Sequence, residues 1–407
     1  MKDKLLRHGA IILFAYVISF FFAYVFYFYM ARALGPEGYG ILGSMLSLLY
    51  IFSVPATVIT TTLAHVVSEQ KSDRGKIRSI LLASAKKLVY IGIIIFVVLL
   101  ALSPLLKSVL NLPSAIPVII LGFSLIFITL LTSPRGTLQG MQEFNSLGFN
   151  IAVEKPALLL FGALFVYLGA GVNGAILSYG AGAFVILVLA LIPLVPVLRE
   201  KSEQVEISVY RYASPIFVLV LCITVMSSID ILFVRRYFPG EVSGYFTAMK
   251  MIGEVIYFSA IAFGNVILPK VSELSALNRT HGFLLRKALI YFGLFLAAVL
   301  SAYALAPGLI MTVLFGKNYA SIAGYLVWYA LAMSLLSLSI IFMFYDVSAK
   351  RTAFRYPLVL FTLLEVFLFL VFHDTVGQII AVQIATFLAL LASVITINRR
   401  YGGYALR

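Results

Sequence analysis

Apolar runs of about twenty residues follow one another along almost the whole chain, separated by short polar breaks. A run of that length crosses the hydrocarbon core of a bilayer as a helix, the only open secondary structure that satisfies its own backbone there. Twelve such runs can be placed, at about 9–30, 41–66, 85–106, 115–134, 147–169, 173–197, 211–234, 244–268, 286–308, 322–345, 355–372 and 376–397. Only 11% of the 407 residues are charged and 62% are apolar, a balance that a hydrated globular surface cannot carry. The fold class expected is therefore an all-α polytopic membrane protein of about twelve transmembrane helices. The first run is too long for the apolar region of a signal peptide and reads as a retained span. Cys222 is the only cysteine, so neither a disulfide framework within the chain nor a cysteine-built metal site is possible.

A formal charge of +14 would suggest nucleic acid in a soluble protein. Here the lysines and arginines sort by side. With the N terminus inside, 23 of the 30 fall in inner segments and 5 in outer loops, while Lys155 and Lys250 lie within spans. That asymmetry is the positive-inside pattern, so no nucleic-acid partner is expected and both termini are placed in the cytoplasm, with the chain in the cell membrane. The KSDRGKIR run from Lys71 reads as a solvated inner loop, with contact to anionic membrane lipids as the weaker alternative.

The break Arg32 to Gly40, RALGPEGYG, has a weakened copy, RRYFPGEVSGY, from Arg235 to Tyr245. A second pair, around Lys87 to Gly92 and Lys287 to Gly293, repeats at a similar offset. Six spans per half leave both halves in the same orientation, a parallel repeat. The domains expected are an N-terminal lobe of residues 1–198, a polar linker of residues 199–210 carrying Glu200, Glu203 and Glu206, and a C-terminal lobe of residues 211–407. One chain then holds both lobes and a monomer suffices. Gly35, Gly38 and Gly40 with Pro36 are expected to reverse the chain at the outer face. The two breaks would form an outer rim where the lobes meet.

Ionisable residues inside spans are costly and mark function or pairing. Lys250 and Glu254 share one face of the eighth span, Lys250 roughly 10 Å in from the outer side at ~1.5 Å per residue. Either Lys250 binds an anionic substrate group with Glu254 tuning or coupling it, or the two form a buried structural pair. Asp230 either joins that cluster or pairs with Arg235 and Arg236 at the interface. Glu154 and Lys155 are adjacent in the fifth span, so their side chains are expected to diverge, with Pro156 after them and Asn150 one turn before. They either line the inner half of a pathway or pack between helices. Glu365 reads as a proton-coupling acid or as a carboxyl that is simply protonated. Pro55 with Ser53, Thr57, Thr60, Thr61 and Thr62 marks a kink whose hydroxyls face a cavity or bond locally. Arg32 is either an interfacial residue or a second substrate-binding candidate.

Several classes are excluded. No GxxxxGK[ST] motif supplies ATP chemistry, and the four histidines are scattered, so no nucleotide or metal cofactor is expected. The short loops leave no room for a polymerase or ligase domain, and an enzyme is not expected. DRGK at Asp73 is a decoy for a major-facilitator loop, since position 69 is Glu69 where that motif needs glycine.

RALGPEGYG after the first span, PRGTLQGMQEF from Pro134 to Phe144 and LFGKNY from Leu314 to Tyr319 together resemble the lipid-linked oligosaccharide (O-antigen type) flippases of the multidrug/oligosaccharidyl-lipid/polysaccharide exporter superfamily. The resemblance covers nearly the whole chain. It implies two six-helix lobes in a V around a cavity that alternates between membrane faces. The substrate implied is a polyprenyl phosphate or diphosphate bearing a glycan, held at its phosphate by basic cavity residues; glycan polymerase or transferase machinery are possible partners. Lys250 fits the phosphate role by position, so Lys250→Ala is expected to stop glycan export at normal abundance. The alternative is a Na⁺- or H⁺-coupled multidrug exporter, against which stand a first span without acids and a basic residue in the eighth.

Overall fold

The computed structural model describes residues 2–70, 73–201, 203, 210–277, 282–349 and 351–401. Lys71 of the inner-loop run and Glu206 with most of the 199–210 linker lie outside the described residues. The described chain is helical with no strand: α1 (Lys2–Glu69), α2 (Arg74–Val109), α3 (Ile116–Gly140), α4 (Phe144–Phe165), α5 (Gly171–Leu191), a short α6 (Val195–Leu198), α7 (Tyr210–Tyr237), α8 (Gly240–Ala276), α9 (Gly282–Leu305), α10 (Pro307–Phe315), α11 (Leu326–Ser348), α12 (Arg355–Val371) and α13 (Val376–Tyr401). Nine helical stretches among the described residues are long and apolar enough to cross a membrane. Two of them, residues 8–69 and 144–198, hold two spans each, and α12 with 17 residues is a further, shorter crossing. The protein is a multi-pass membrane protein.

The first two spans are two helical arms of α1 joined directly at a kink. Within α1 only Gly35 leaves helical geometry, at φ 68° and ψ 174°. The Tyr27 and Tyr50 hydroxyls nevertheless meet at 3.1 Å. Twenty-three residues of straight helix would hold them roughly 34 Å apart, so the chain has doubled back. The expectation that Gly35, Gly38 and Gly40 share the reversal is corrected: Gly38 and Gly40 are helical, and Gly35 turns the chain alone. The conformation it adopts is closed to residues with a Cβ. Between α4 and α5 the reversal is a π-helical turn, Val166–Ala170, with Gly169 at φ 88°. The second break is a true interruption, since α7 ends at Tyr237 and α8 begins at Gly240.

Two compact units make up the chain, Met1–Val220 and Leu221–Arg407. In the first, α3 packs against α1, α2 and α5, while α4 lies against α1 and α5. Leucine and isoleucine fill the seams: Leu63, Val67, Ile77, Ile80 and Val197 form one cluster, and Leu131, Ala183, Ile186, Leu187 and Ala190 another. In the second unit α11 is the centre, packed against α8, α9 and α13 and buried along most of its length. Lipid-facing positions stay apolar, as on α2 with Tyr90, Ile94 and Val97 and on α12 with Leu360, Leu363 and Phe367.

Gly35→Ala is expected to lower the thermal midpoint, by strain on the order of 1–3 kcal/mol. Fluorescence-detected size exclusion after heating reads it, with Gly38→Ala as the milder comparison. Equal midpoints for the two variants would show that the reversal does not depend on Gly35.

Candidate functional site

In the second unit, five helices bring charge to one buried place. α7 supplies Asp230, α8 Lys250 and Glu254, α11 Tyr329, α12 Glu365 and α13 Gln383. The Lys250 ammonium donates to Asp230 Oδ1 at 2.8 Å, lies 3.3 Å from Glu254 Oε1 and donates to the Ser227 backbone carbonyl. Its three donors thus meet three acceptors. Asp230 is equally engaged: Oδ1 accepts the Ile231 amide at 2.8 Å, and Oδ2 accepts from Tyr329 Oη at 2.9 Å and Gln383 Nε2 at 3.2 Å. Tyr329 reaches Asp230 because Gly253 has no side chain; a Cβ there would stand 2.5 Å from the tyrosine ring. Side-chain exposure is 1% for Lys250, 0% for Asp230 and 5% for Glu254.

The third acid, Glu365, is also fully buried, and neither of its carboxyl oxygens has a hydrogen-bond partner among the described residues. It is close enough to Asp230 and Lys250 to interact electrostatically with both. Three carboxyl groups therefore surround one ammonium, and one of the three has its hydrogen-bonding capacity unused.

The first unit builds a different arrangement. Arg135 on α3 donates from Nε to Asn150 Oδ1 at 2.7 Å, and its Nη1 lies 2.8 Å from Glu154 Oε2. The other carboxylate oxygen of Glu154 accepts from Lys155 Nζ at 2.7 Å. Glu154 and Lys155 therefore meet despite being adjacent in sequence, against the expectation that they diverge; both side chains are long enough to curl back towards Arg135. Asn150 is anchored from the far side, donating to the Ile186 carbonyl at 2.9 Å. Lys155 Nζ stands 6.0 Å from the centre of the Tyr179 ring. These side chains are partly open, at 19% for Arg135, 25% for Glu154 and 26% for Lys155.

They open onto a cavity of about 220 Å³ between α1, α3, α4 and α5, whose polar lining includes Tyr50, Ser53, Thr57 and Thr132. The hydroxyls behind the Pro55 kink bond locally: Ser53 Oγ donates to the Tyr50 carbonyl at 3.0 Å and Thr57 Oγ1 to the Ser53 carbonyl at 3.3 Å. Their oxygens keep lone pairs for the cavity. Arg32, exposed on α1 three residues before the hinge, is separate in sequence and element from the lysine cluster of the second unit.

Arg135 follows directly on the apolar run that ends at residue 134, yet α3 continues to Gly140 and carries it. The available signal was Asn150 and Glu154 at i and i+4, a polar face waiting for a donor from another helix. Tyr329 and Gln383 carried no such signal, each being one polar group in an apolar run.

The architecture and these charges inside it define a multi-pass membrane protein with ionisable groups held between its helices. The protein belongs to the polysaccharide biosynthesis protein family, whose pattern matches residues 5–275. It is 27% identical over 280 residues to an uncharacterized membrane protein of Methanocaldococcus jannaschii, a match covering 63% of this chain and 65% of that protein, slightly under two thirds of the relative's length. Among solved structures it resembles an inward-facing multidrug resistance MATE family transporter of the MOP superfamily (TM-score 0.75, 15% identity, 94% of this chain and 95% of that one). It also resembles the lipid II flippase MurJ in an inward closed conformation (0.69, 14%, 96% and 87%). A third likeness is to a MOP superfamily transporter from Pyrococcus furiosus described as having a binding pocket of reversed polarity (0.68, 15%, 99% and 96%). At these identities the structures establish the fold alone, one shared with transporters of the MOP superfamily.

Burial revises what Lys250→Ala is expected to do. Removing one partner of a buried ion pair leaves uncompensated charge, at a cost of about 3–5 kcal/mol. The variant should therefore lose abundance and thermal stability, whereas Lys250→Met combined with Asp230→Asn should recover most of both. Normal abundance of Lys250→Ala would show that the cluster is not holding the unit together.

Proposed function

We propose that the protein carries a polyprenyl phosphate- or diphosphate-linked oligosaccharide from the cytoplasmic to the outer leaflet by alternating access, for cell-surface glycan synthesis. The observation that carries this reading is the open cavity of the first unit. Its wall bears two cations and one carboxylate, and its lining is rich in hydroxyl groups. A net positive, hydroxyl-lined site suits a phosphate next to a sugar and disfavours a cationic drug. The family's connection with polysaccharide biosynthesis and the likeness to a lipid II flippase point the same way. The apolar tail would remain in lipid, and Arg32 serves the membrane interface.

In this reading Lys250, Asp230 and Glu254 form the ionic core of the second unit, and Glu365, the carboxyl with unused capacity beside them, couples transport to a proton. Both termini are placed in the cytoplasm, a reading supported by the excess of lysine and arginine in the segments assigned to the inner side. The buried acids beside Lys250, namely Asp230, Glu254 and Glu365, favour one rival, an ion-coupled exporter of cationic compounds.

Reconstitution separates the two. In proteoliposomes carrying a fluorescent polyprenyl diphosphate-linked saccharide, the protein should raise the rate at which the label becomes accessible to a membrane-impermeant quencher. Glu365→Gln should abolish the dependence on a proton gradient. Transport of cationic dyes with an ion gradient, and no movement of the lipid-linked sugar, would establish the exporter instead.

A further inference from the structure

Arg135 and Lys155 share a single counter-anion. One oxygen of Glu154 faces each, so the carboxylate bridges the two cations where an incoming anion would have to bind. All three side chains are partly exposed, unlike the sealed cluster around Lys250. A diphosphate diester carries two negative charges to a carboxylate's one and offers more acceptor oxygens, and it suits the fork of an arginine. The cavity also limits what enters. At about 220 Å³ it equals roughly seven waters at ~30 Å³ each, room for a phosphate and one sugar ring but not for a glycan of several.

We propose that this cavity binds the phosphate and the first sugar of the lipid-linked substrate, and that the phosphate displaces Glu154 from Arg135 and Lys155, whereupon Glu154 takes up one proton. The lipid-linked identity of the ligand rests on the flippase reading; the exchange of anions rests on the geometry alone. A carboxylate stripped of both cations and left beside a phosphate is held in an unfavourable field, and protonation removes the repulsion. The proton comes from solvent at the cavity mouth and forms the O–H bond of Glu154. When the phosphate departs, Glu154 returns to Arg135 and Lys155 and the proton returns to solvent. No other bond is made or broken. With a diphosphate the filled, protonated cavity is electrically neutral, whereas a bound diphosphate beside ionised Glu154 would leave it negative.

The groups that interact with Glu154 are Arg135 from α3, Lys155 from α4, Tyr16 from α1 and Tyr179 from α5, while Tyr27 from α1 interacts with Lys155. Tyrosines ordinarily titrate near pH 10 and arginine higher still, so among these groups Glu154 is the one placed to change charge with substrate near neutrality. The hydroxyls of Tyr50, Ser53, Thr57 and Thr132 then face the sugar.

The full-length protein in lipid nanodiscs tests this by titration calorimetry in two buffers of different ionisation heat, with inorganic phosphate and with farnesyl diphosphoglucose as probes. Wild-type protein should take up about one more proton per bound ligand than Glu154→Gln, and should bind more tightly at about pH 6 than at about pH 8. Glu154→Gln, nearly the same shape, should bind roughly tenfold more tightly at the higher pH and lose most of the pH dependence. Arg135→Ala should weaken binding at least about tenfold, with Arg135→Lys between it and wild type. Equal proton uptake by wild type and Glu154→Gln, or unchanged affinity in Arg135→Ala, overturns the exchange. Inorganic phosphate binding as tightly as farnesyl diphosphoglucose overturns the sugar assignment. Flipping assays on the same preparations separate this inference from the flippase reading. Arg135→Ala flipping at the wild-type rate sinks the cavity inference and leaves the flippase standing. Wild-type protein that binds phosphate with proton uptake but does not flip the lipid sinks the flippase and leaves the exchange.

Discussion

Charge inside a membrane protein has to be matched donor by donor, and both halves of this chain are arranged around that requirement. Lys250 is tolerable at 1% exposure because two carboxylates and a backbone carbonyl receive its three hydrogens. The match in turn dictates packing: α7 and α8 must stay in register for Asp230 to meet Lys250, and α11 must come close for Tyr329 to complete Asp230. Gly253 permits that approach. The ionic centre of the second unit is therefore a packing specification as much as an electrostatic one.

The first unit meets the same requirement less completely. Arg135, Glu154 and Lys155 neutralise one another only in part, and water has access to them. A sealed cluster resists exchange of its partners because every alternative leaves a bare charge in a dry interior. An open one exchanges partners readily because solvent covers the intermediate arrangements. Exposure, more than the kind of residue, distinguishes a scaffold from a binding surface here: both clusters contain a lysine and a glutamate a few residues apart at most.

Much of this was legible in the amino-acid sequence, and the parts that were not share a cause. Apolar length located the crossings, because a bilayer imposes one dimension on every helix. Lys250 and Glu254 could be paired from their spacing, because four residues on a helix is a contact. Arg135 escaped because apolar runs report where lipid ends, whereas α3 extends beyond that point to Gly140. The meeting of Glu154 with Lys155 escaped because Cβ directions govern short side chains, while long ones curl towards a shared partner. Tyr329 and Gln383 reach Asp230 across 99 and 153 residues, separations at which periodicity carries no information. The polar break RALGPEGYG was visible as a break, but its composition suggested a loop of several residues where one suffices.

That single-residue hinge has a consequence for how the chain tolerates change. Loops between spans ordinarily absorb insertions, since extra residues bulge into solvent without disturbing the helices they join. Around Gly35 no such slack exists, because helix continues on both sides. One residue added after the hinge would turn the second arm of α1 by about 100° about its axis. Tyr50, Ser53 and Thr57 would leave the cavity wall together, and the buried face of Leu42, Met45 and Leu49 would rotate out of its seam. The most loop-like stretch of this sequence is thus among its least permissive to changes in length, and related chains should vary there in residue type but not in residue count.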